Sequence, residues 1–545
     1  MNSADHPVLV VGAGPAGLVA ALTLVQNGIP VRIIDKDPNP RIGQRGPTIW
    51  PRSLELFNFL NVPEVNNLGK QIPVIRLYKP GTLEPLKDYP LAPHMEPTPA
   101  VPFHIPKMIG QQLLDVVLRR HLEKFYCSVE MNTELSSFKQ SEEGIAATFD
   151  TKWMIGADGA KGVVRKQLGL TFLGETRDDF CIITGDIRLK GVGLDRVFLL
   201  SRLGDVFTIH RLMLRPTDEI GEDGWHFFIS DRELELMKTI QSEELIFASI
   251  ASFIPTEITF NKLVWRVDPF VAGAISVLVN KFGEDRVFVM GGVWFYLGVC
   301  SCADGSRRCC TGLNSGVQDA KLALVEKGLA DKSLLKTYSA ERLPVISEMI
   351  EMTTSILNQT LITGELRLHN PTVFMLGVNC RFSSIVLDEF ATPIEGKPVN
   401  AYGVFDEGHL EAGDRAPDAP NVLQVGRGES DVKTLFGLYK PWCHTVLVFA
   451  PSLSDATSIL GALEAFDRRV VRKAVVLPSS TPVAPVVSPC ADVVLIDEGG
   501  YAYTAYFVEA NQTKVFVIRP DGVIGAIVHG EEGVQKYFSN IFLDL

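Results

Sequence analysis

The sequence predicts an α/β protein in which a Rossmann-like dinucleotide-binding domain carries an inserted antiparallel sheet. A glycine-rich turn between two short apolar runs near the N-terminus predicts the dinucleotide-binding part. Polar and apolar residues alternate in the middle of the chain, and this period of two is typical of an antiparallel sheet. The 545 residues exceed what one hydrophobic core usually holds, so we expect several domains.

Composition and charge exclude some classes of protein. Apolar residues make up 46% of the chain and charged residues 21%, as in ordinary globular proteins. The net charge of −12 argues against a nucleic-acid partner, because neutralising phosphates requires a surplus of Lys and Arg. No apolar run reaches the ~18 residues that indicate a membrane span. The N-terminus lacks the features of a secretory signal, so we predict a cytoplasmic protein without a transmembrane segment.

The first predicted unit is a strand, a tight turn, a helix and a second strand. Its elements are a strand at Val8–Val11, the turn GAGPAG, a helix at Leu18–Gln26 and a strand at Val31–Ile34. The sequence Asn27-Gly28 ends the helix, because Gly readily adopts the left-handed conformation of a helix C-cap. An acidic residue, Asp35, follows 23 positions after the first glycine of the turn. This order predicts a dinucleotide site.

Each residue type in this unit serves the binding of a dinucleotide. Gly12 permits the tight turn, Gly14 lets the backbone approach a pyrophosphate, and Gly17 lets the helix pack close to the sheet. Ala16 lies at the start of the helix, where unpaired N–H groups and the helix dipole attract the diphosphate. Asp35 would accept hydrogen bonds from a ribose hydroxyl. We predict all five as cofactor-binding residues.

A second stretch begins shortly after the second strand. It reads Ile42-Gly-Gln-Arg45-Gly-Pro-Thr-Ile-Trp-Pro-Arg52-Ser-Leu-Glu55. It resembles the corresponding stretch of the flavoprotein aromatic-ring hydroxylases, which are FAD-dependent monooxygenases of the phenol 2-monooxygenase and p-hydroxybenzoate hydroxylase type. In that family an Arg meets the FAD phosphates, so the resemblance implies that Arg45 is a phosphate contact. The alternative is an arginine on a solvated loop.

The pattern Gln111-x-x-x-Asp115-x-x-Leu-Arg119 follows on a predicted amphipathic helix. It resembles the Q-x-x-x-E-x-x-L-R helix of the same family, in which the Gln touches the ribityl chain of the flavin. The resemblance implies that Gln111 contacts FAD. Gln112 is an equally placed donor.

The segment Trp153-Met-Ile-Gly-Ala-Asp158-Gly, followed by Val-Val-Arg165, indicates a strand, an Asp-Gly turn and a short helix. It resembles the GADG motif of the family, which serves both FAD and the reduced nicotinamide. Asp158 is therefore implied as a cofactor contact. Gly162 stands where the family usually has Ser, so one helix-capping hydroxyl is missing.

A third motif departs from the family pattern. In the family a strand ending in A-G-D supplies an Asp to the ribityl chain, and a later G-x-G-x-N begins a helix beside the flavin. Here Arg286–Met290 is the predicted strand and Gly291 fits, but Gly292 takes the place of the Asp. The pattern resumes with Gly312, Leu313 and Asn314. The resemblance implies that Gly291 and these three residues contact FAD.

Three explanations of residues 292–311 stay open. The site could be remodelled, or its cysteines could bind a metal; these are Cys300, Cys302, Cys309 and Cys310. We favour the third, intron or frame-shifted sequence in a conceptual translation, because the codons of residues 304–311 read one base later permit a segment close to the family's D-[TA]-A-H run. We predict no metal, since the CxC and CC spacings differ from paired CxxC ligands. If the chain exists as written, losing the Asp removes a hydrogen bond of about 1.5–3 kcal/mol, and we expect poor FAD retention.

The middle and the end of the chain complete the resemblance. In the family the inserted sheet covers the flavin and supplies the substrate pocket, for which the candidates here are His210, Arg211, Trp225 and His226. No catalytic residue is predicted.

The sequences GDRAP from Gly413 and RPDG from Arg519 resemble a thioredoxin-like C-terminal domain. Because this domain has no CxxC pair, we predict a structural role and a possible homodimer contact.

The resemblance implies a fold class and four segments. The fold is α/β, with a Rossmann-like FAD-binding domain, an inserted antiparallel substrate-domain sheet and a C-terminal thioredoxin-like domain. The predicted segments are 1–175 and 276–398 for the FAD-binding domain, 176–275 for the sheet and 405–545 for the C-terminal domain.

The implied activity is hydroxylation of a phenolic or other aromatic small molecule, with NAD(P)H and O₂ as co-substrates and possibly in secondary metabolism. One alternative is an NAD(P)-dependent oxidoreductase that uses the first motif alone. The other is a catalytically impaired or misannotated homologue that cannot hold FAD, for which the altered third motif is the evidence.

Overall fold

The structure is a computed structural model. It describes residues 8–141, 144–146, 150–159, 162–177, 181–191, 197–203, 209–231, 239, 241–266, 274–290, 319–363, 371–391, 400–403, 408–425, 432–482 and 490–543. Four predicted FAD contacts lie outside these residues, namely Gly291, Gly312, Leu313 and Asn314. The four clustered cysteines lie outside them as well.

The helices and strands follow one another in three stretches. Up to residue 159 they are β1 (Val8–Val11), α1 (Pro15–Gln26), β2 (Val31–Ile34), β3 (Thr48–Ile49), α2 (Pro51–Phe59), α3 (Glu64–Leu68), β4 (Lys70–Gln71), β5 (Ile75–Tyr78), β6 (Pro85–Tyr89), β7 (Lys107–Met108), α4 (Gln111–Glu123), β8 (Val129–Glu130), β9 (Lys139–Gln140), β10 (Ile145–Ala146), β11 (Asp150–Thr151) and β12 (Trp153–Gly156). From 162 to 290 they are α5 (Val163–Gln167), β13 (Phe172–Arg177), β14 (Cys181–Lys190), β15 (Val197–Leu203), β16 (Ile209–Pro216), β17 (Gly224–Asp231), α6 (Glu243–Ala251), β18 (Thr259–Arg266), β19 (Ala274–Val279), β20 (Gly283–Glu284) and β21 (Val287–Val289). From 319 to 543 they are α7 (Ala320–Glu326), α8 (Thr337–Thr363), β22 (Leu387–Asp388), β23 (Val422–Val425), β24 (His444–Phe449), α9 (Thr457–Ala462), β25 (Val471–Pro478), β26 (Val493–Asp497), α10 (Tyr501–Ala505), β27 (Lys514–Ile518), β28 (Ile524–Val528) and α11 (Glu531–Ser539). Short 3-10 helices lie at Lys332–Lys336, Pro371–Phe374, Leu435–Gly437 and Ser454–Ala456.

A six-stranded sheet forms the core of the dinucleotide-binding domain. Its order is β20-β21-β12-β1-β2-β8, and all neighbours except β20 and β21 are parallel. Every residue of β1 is buried, as its unbroken apolar sequence predicts for a strand covered on both faces. β1 ends at Val11, which pairs with Gly156 at the end of β12. The two predicted glycine-containing turns therefore lie side by side at the carboxyl edge of the sheet.

The predicted antiparallel sheet is present and is larger than the sequence indicates. Its order is β18-β14-β17-β16-β15-β5-β6, and its neighbours from β18 to β15 are antiparallel. β5 and β6 come from residues 75–89, within the segment predicted for the first domain. They join because β5 pairs in parallel with the open edge of β15. Ile246 and Ile250 of α6 cover one face of the sheet, and the other face is turned toward the dinucleotide-binding domain.

The C-terminal sheet has the order β22-β28-β27-β24-β25-β26-β23. Strands β24, β25 and β26 are parallel, and β27 is antiparallel to β24 and β28. An Asp-Gly turn in the RPDG motif joins β27 to β28, with Gly522 at a φ of 70°. β22 comes from residues before the predicted boundary at 405 and pairs with β28. The thioredoxin-like assignment stays a prediction; Cys443 is buried before β24, and this burial raises the pKa of its thiol.

The C-terminal domain packs on the dinucleotide-binding domain through buried charges. Arg415 donates hydrogen bonds to the Glu55 carboxylate at 2.7 and 2.9 Å. Arg52 donates to Glu55 at 2.8 Å and to the carbonyl of Asp521 at 2.7 Å. The R-x-L-E, GDRAP and RPDG motifs thus meet in one contact within the chain. The predicted homodimer contact stays a prediction.

Across the described ranges, no helix is both long enough and apolar enough to cross a membrane.

Candidate active site

Two glycines of the first turn allow α1 to lie directly against the sheet. Gly12 has a φ of 101°, and a Cβ there would overlap the carbonyl of Ala157, next to the second turn. A Cβ at Gly17 would overlap the carbonyl of Gly12. Larger residues at either position would push the helix away from both turns. The packing function predicted for Gly17 agrees with this geometry.

The start of α1 can hold an anion. Gly14 is the N-cap residue and has no side-chain cap, so the first N–H groups of the helix lack that partner. Among the residues that the structure describes, a Cβ at Gly14 would approach only the Arg41 guanidinium, with 3.0 Å to Nη1. Ala16 in the first turn of the helix is half-buried. Backbone N–H groups and the Arg41 guanidinium therefore border the place where the sequence predicts a diphosphate.

Asp35 organises the turn at the end of β2. Its Oδ2 accepts a hydrogen bond from the Ala13 N–H at 2.7 Å, and its Oδ1 accepts one from the Asp37 N–H at 3.0 Å. Arg41 Nη2 lies 3.5 Å from Asp35 Oδ2. The carboxylate is thereby fixed beside the glycine turn, where the sequence predicts the ribose contact.

Arg41 is a site residue that the sequence reasoning missed. Its guanidinium lies between Gly14 and Asp35, and its Nε is 3.4 Å from Asp37 Oδ2. Nothing in the local sequence distinguishes it from a surface arginine. Its position at the helix start follows only from the folded loop.

Arg45 lies under an aromatic ring and is half-buried. Its guanidinium carbon is 5.1 Å from the centre of the Trp265 ring in β18. The Arg45 backbone has a φ of 49°, and a Cβ at Gly43 would overlap the same ring. Arg45 is therefore not a freely solvated loop arginine. Its phosphate contact stays a prediction.

The neighbouring glutamines at the start of α4 have different environments. Gln112 accepts a hydrogen bond from the Gly43 N–H at 2.9 Å and donates to the Glu219 carbonyl at 3.4 Å. Among the described residues, the half-buried Gln111 side chain has no hydrogen-bond partner. The ribityl contact predicted for Gln111 is consistent with this difference, because the amide of Gln112 is already engaged.

Asp115 is a buried carboxyl group beneath the cofactor-binding loops. Only 2% of the residue is exposed, and neither carboxyl oxygen has a hydrogen-bond partner among the described residues. Burial raises the pKa of Asp115 to about 7, although the nearby Arg41, Arg119 and Arg45 oppose this rise. The ordinary pKa of an Asp is 3.8, so the folded protein binds a proton here that the unfolded chain has already released.

Replacing Asp115 by Asn is expected to stabilise the FAD-free protein at pH 8 and to leave it unchanged near pH 4. Because the pKa is raised from 3.8 to about 7 in the folded state, Asp115 destabilises the wild type progressively as pH rises through that window. Asn removes this penalty. Thermal unfolding at the two pH values measures the effect, and Glu123→Gln on the exposed side of the same helix is the control. Equal shifts of the melting temperature at pH 4 and pH 8 would contradict the expectation.

Asp158 caps the helix that follows its own turn. Its Oδ2 accepts a hydrogen bond from the Val164 N–H at 3.1 Å. A Cβ at Gly162 would overlap this carboxylate. The carboxylate therefore takes the space and the capping function of the serine that the family carries at Gly162. Burial raises the pKa of Asp158, although the hydrogen bond from Val164 opposes the rise.

A buried Asp–His pair joins the sheet to the Arg45 loop. His226 Nδ1 lies 2.5 Å from Asp186 Oδ1, and Asp186 Oδ2 accepts a hydrogen bond from the Gln44 N–H at 2.8 Å. Neither Asp186 nor His226 is exposed. Burial lowers the pKa of His226, although the Asp186 carboxylate opposes this change. Arg215 also contacts the Gln44 side chain.

Replacing Asp186 by Ala is expected to lower the free energy of unfolding by about 2–4 kcal/mol and to weaken FAD binding. The change leaves the Gln44 N–H and the His226 ring buried without their partner, and it releases the Arg45 loop. Chemical denaturation and flavin titration measure the two effects. Thr184→Val is the control, because Thr184 Oγ1 lies 3.4 Å from His226 Nε2 and makes only a weak contact.

The candidates for the substrate pocket separate between the two faces of the sheet. Trp225 packs near Phe198 in the cluster covered by α6, on the face turned away from the dinucleotide-binding domain, and its place in a substrate pocket stays a prediction. Adjacent residues on a strand alternate, and His226 therefore points to the other face with Arg211. The side chain of His210 lies outside the described ones. Strand alternation could have identified Asp186 and Arg215 as well, since both share this face.

The geometry agrees with FAD as the bound dinucleotide. The carboxyl edge offers an open helix start, a fixed carboxylate at Asp35 and two arginines, which match a diphosphate and a ribose. Over the described part of the chain, no group of three or more His, Cys, Asp or Glu side chains could hold a metal ion.

Known proteins share this sequence and fold. A family model described as FAD binding domain matches residues 5–353. A flavin-dependent monooxygenase of Mycobacteroides abscessus is 27% identical over 98% of this chain and 99% of its own length. Pentachlorophenol 4-monooxygenase of Sphingobium chlorophenolicum is 26% identical over 65% of this chain and 64% of its own length. The structure of aklavinone-11 hydroxylase with FAD and aklavinone covers 99% of both chains at 19% identity with a TM-score of 0.74, which establishes the shared fold.

The family match includes both predicted turns, the helix at Gln111 and the inserted sheet. It spans well over half of the chain, and the relative from Mycobacteroides abscessus extends the similarity through the C-terminal domain. The chain therefore belongs to the FAD binding domain family and is a flavoprotein of the FAD-dependent monooxygenase kind.

Proposed function

We propose that the protein hydroxylates a phenolic or other aromatic small molecule with O₂ and NAD(P)H. The balanced reaction is Ar–H + O₂ + NAD(P)H + H⁺ → Ar–OH + H₂O + NAD(P)⁺. Bound FAD supplies the electron transfer and the activation of O₂. The names of two similar proteins, a pentachlorophenol monooxygenase and an aklavinone hydroxylase, support an aromatic substrate.

The residues of the site would bind and orient the cofactor. The N–H groups at the start of α1 would hold the diphosphate with Arg41 and Arg45, and Asp35 would bind the ribose. Gln111 would reach the ribityl chain, and Asp158 would hold the second turn in place. The side-by-side placement of the two turns is the observation that carries the proposal, and the contacts of Arg45 and Gln111 are carried over from the family resemblance.

The inserted sheet would keep water from the reacting ring. Asp186 fixes the Arg45 loop, and the Trp265 ring covers Gly43 and Arg45. Excluding water protects the reaction from competing uncoupled steps. An electron-rich phenol needs little acid–base assistance, which agrees with the absence of a predicted catalytic residue.

Flavin content and turnover test the proposal. The chain is purified beside a version in which Gly292 is replaced by Asp and residues 293–311 by the family pattern. Released flavin, NADPH oxidation that depends on an aromatic compound, and ¹⁸O incorporation from ¹⁸O₂ are measured. Flavin and incorporated ¹⁸O in both chains would support the function for the sequence as written.

The altered third motif favours one second candidate, a catalytically impaired or mistranslated homologue. Flavin in the restored chain alone would establish that candidate. A flavin-free protein that binds NADPH would instead indicate an NAD(P)-dependent oxidoreductase.

A further inference from the structure

The connection between β16 and β17, residues 217–223, contacts the start of α4. Gly110 is the N-cap residue of α4, and its N–H donates a hydrogen bond to Glu219 Oε1 at 2.8 Å. A Cβ at Gly110 would overlap Glu219 Oε2, so any larger residue there would displace the carboxylate. In a capping box, a Glu within the helix accepts the N–H of the N-cap residue. Here Glu219 supplies that acceptor from the inserted sheet, 109 residues away.

The same connection contacts the loop that lies beside the start of α4. Gln44 of this loop is fully buried, and its side-chain amide donates a hydrogen bond to Thr217 Oγ1. Thr217 Oγ1 also accepts the N–H of Glu219 at 3.3 Å. The carbonyl of Gln44 accepts the N–H of Gln111, the first residue of α4, at 3.1 Å. The connection therefore holds two successive backbone N–H groups at the helix start, that of Gly110 directly and that of Gln111 through Gln44.

The Glu219 carboxylate is half-buried at this helix start. Burial raises the pKa of Glu219, whereas the hydrogen bond from Gly110 and the charge of Arg215 oppose the rise. The second carboxylate oxygen, Oε2, is enclosed and has no hydrogen-bond partner among the described residues. A negative charge at the N-terminus of a helix is stabilised by the helix dipole. The dipole and the bond to Gly110 thus hold the carboxylate, and the carboxylate in turn fixes the first turn of α4.

We propose that Glu219 is a positioning residue that sets the place of Gln111 at the cofactor. The inference rests on the proposed function, in which Gln111 reaches the ribityl chain. Glu219 itself does not touch FAD. It acts through the Gly110 backbone and so joins the inserted sheet to the helix that carries the ribityl contact.

The side chain of Gln111 depends on this support. Its amide has no hydrogen-bond partner in the part of the chain that the structure describes, so the backbone at the helix start determines where it lies. A hydrogen bond requires its donor and acceptor to lie about 2.7–3.2 Å apart. A shift of about 1 Å in the first turn of α4 would therefore break the predicted ribityl contact. Loss of the Glu219 carboxylate should thus be measurable as a loss of FAD affinity.

FAD titration of the full chain by flavin fluorescence tests the inference through a double-mutant cycle. Glu219→Ala and Gln111→Ala are each expected to weaken FAD binding about tenfold. Because both changes remove the same cofactor contact, the double variant should also be weakened about tenfold, rather than about a hundredfold. Glu219→Gln keeps an acceptor for the Gly110 N–H, so its FAD affinity should fall by about threefold at most.

Two controls accompany the cycle. Glu222→Ala is the matched variant, because Glu222 is an exposed carboxylate in the same connection, and its FAD affinity should equal that of the wild type. The second control combines Glu219→Ala with Asp35→Asn. Among the described residues, Asp35 and Glu219 share no hydrogen-bond partner, so the two losses of affinity should multiply.

Amide hydrogen exchange of the FAD-free chain tests the support of the helix start without the cofactor. In Glu219→Ala the peptide that contains Gly110 and Gln111 should exchange about tenfold faster than in the wild type, because the Gly110 N–H loses its acceptor. The same peptide should be unchanged in Glu222→Ala. Exchange in α8 should also stay unchanged, which separates local opening at α4 from unfolding of the whole chain.

Three results would overturn the inference. They are wild-type FAD affinity in Glu219→Ala, independent losses of affinity in Glu219→Ala and Gln111→Ala, and unchanged exchange at Gly110 and Gln111 in Glu219→Ala. Failures of the two proposals can be distinguished. Faster exchange in Glu219→Ala of a chain that never binds flavin contradicts only the proposed function. A flavin-loaded wild type whose helix start exchanges equally in Glu219→Ala contradicts only this inference.

Discussion

Replacing Glu341 by Gln is expected to weaken the contact between the C-terminal domain and the dinucleotide-binding domain. We expect the free energy of unfolding to fall by about 3–5 kcal/mol. Glu341 of α8 is buried between two cations. Arg519 Nη1 and Nη2 donate to its carboxylate, each at 2.9 Å, and Lys321 Nζ donates at 2.6 Å. Gln would remove the negative charge between the two buried cations. Among the described residues, Arg519 would keep the Asp521 carboxylate at 2.7 Å and Lys321 would keep the Thr337 hydroxyl at 2.8 Å.

The same cluster predicts a loss of stability in acid. Burial alone would raise the pKa of Glu341, but Arg519 and Lys321 together hold it well below the ordinary value of 4.5. A carboxyl group whose pKa is lowered by folding stabilises the protein above its unfolded pKa, and this contribution is lost as pH falls toward the folded pKa. The wild type should therefore lose the contribution below about pH 4.5, whereas Glu341→Gln should lack it at every pH.

Denaturant unfolding at pH 7 and pH 3 measures both effects. Glu351→Gln is the control, because Glu351 is an exposed carboxylate on the same helix. We expect the control to remain within about 0.5 kcal/mol of the wild type. Equal stability of Glu341→Gln and the control would show that the ion cluster does not hold the two domains together.

Local patterns in the sequence were sufficient to predict most elements of the fold. The strands at Val8–Val11 and Val31–Ile34 are confirmed, and α1 begins three residues earlier than predicted, at Pro15. Proline suits the first turn of a helix because its missing N–H would have no partner there. The Asp-Gly pair of the RPDG motif lies at the turn between β27 and β28, since turn chemistry depends on neighbouring residues.

Partners distant in the chain could not be predicted in this way. Glu341 and Arg519 are separated by 178 residues, and Glu55 and Arg415 by 360. The R-x-L-E, GDRAP and RPDG motifs are recognisable in the sequence. A motif does not show, however, which distant charged residue its own charged residue contacts. The domain contact is therefore a property of the folded chain, although every residue in it belongs to a recognisable pattern.

The candidate site likewise contains residues that local patterns predict and residues that only the folded chain brings together. The glycines and Asp35 follow from spacing, whereas Arg41 reaches Gly14 only because the loop after β2 folds back over the helix start. Residue types alone suggest that the helix after the second turn has lost its cap, because Gly162 stands where the family has Ser. In the structure Asp158 caps this helix instead. In the inserted sheet, Trp225 and His226 are adjacent on β17, so the alternation of side chains along a strand already predicts that they point to opposite faces.

Replacing Asp35 by Asn is expected to weaken FAD binding about a hundredfold, which is the largest effect on the cofactor that a single side chain in this site should have. The carboxylate accepts the N–H groups of Ala13 and Asp37 at 2.7 and 3.0 Å and faces the Arg41 guanidinium. An amide offers one acceptor in place of two, so one backbone N–H of the turn loses its partner. The predicted ribose bond also loses its charge.

Flavin titration by fluorescence separates this effect from unfolding when the melting temperature of each FAD-free variant is recorded beside it. Asp37→Asn is the matched control, because Asp37 is two residues away. Its partly exposed side chain forms a hydrogen bond or ion pair with no described residue except Arg41, at 3.4 Å. Its FAD affinity should change less than threefold. If both variants bind FAD equally well, Asp35 merely shapes the turn. A loss of FAD affinity in Asp35→Asn that exceeds what its fall in melting temperature accounts for, with no loss in Asp37→Asn, would support a ribose contact at this carboxylate.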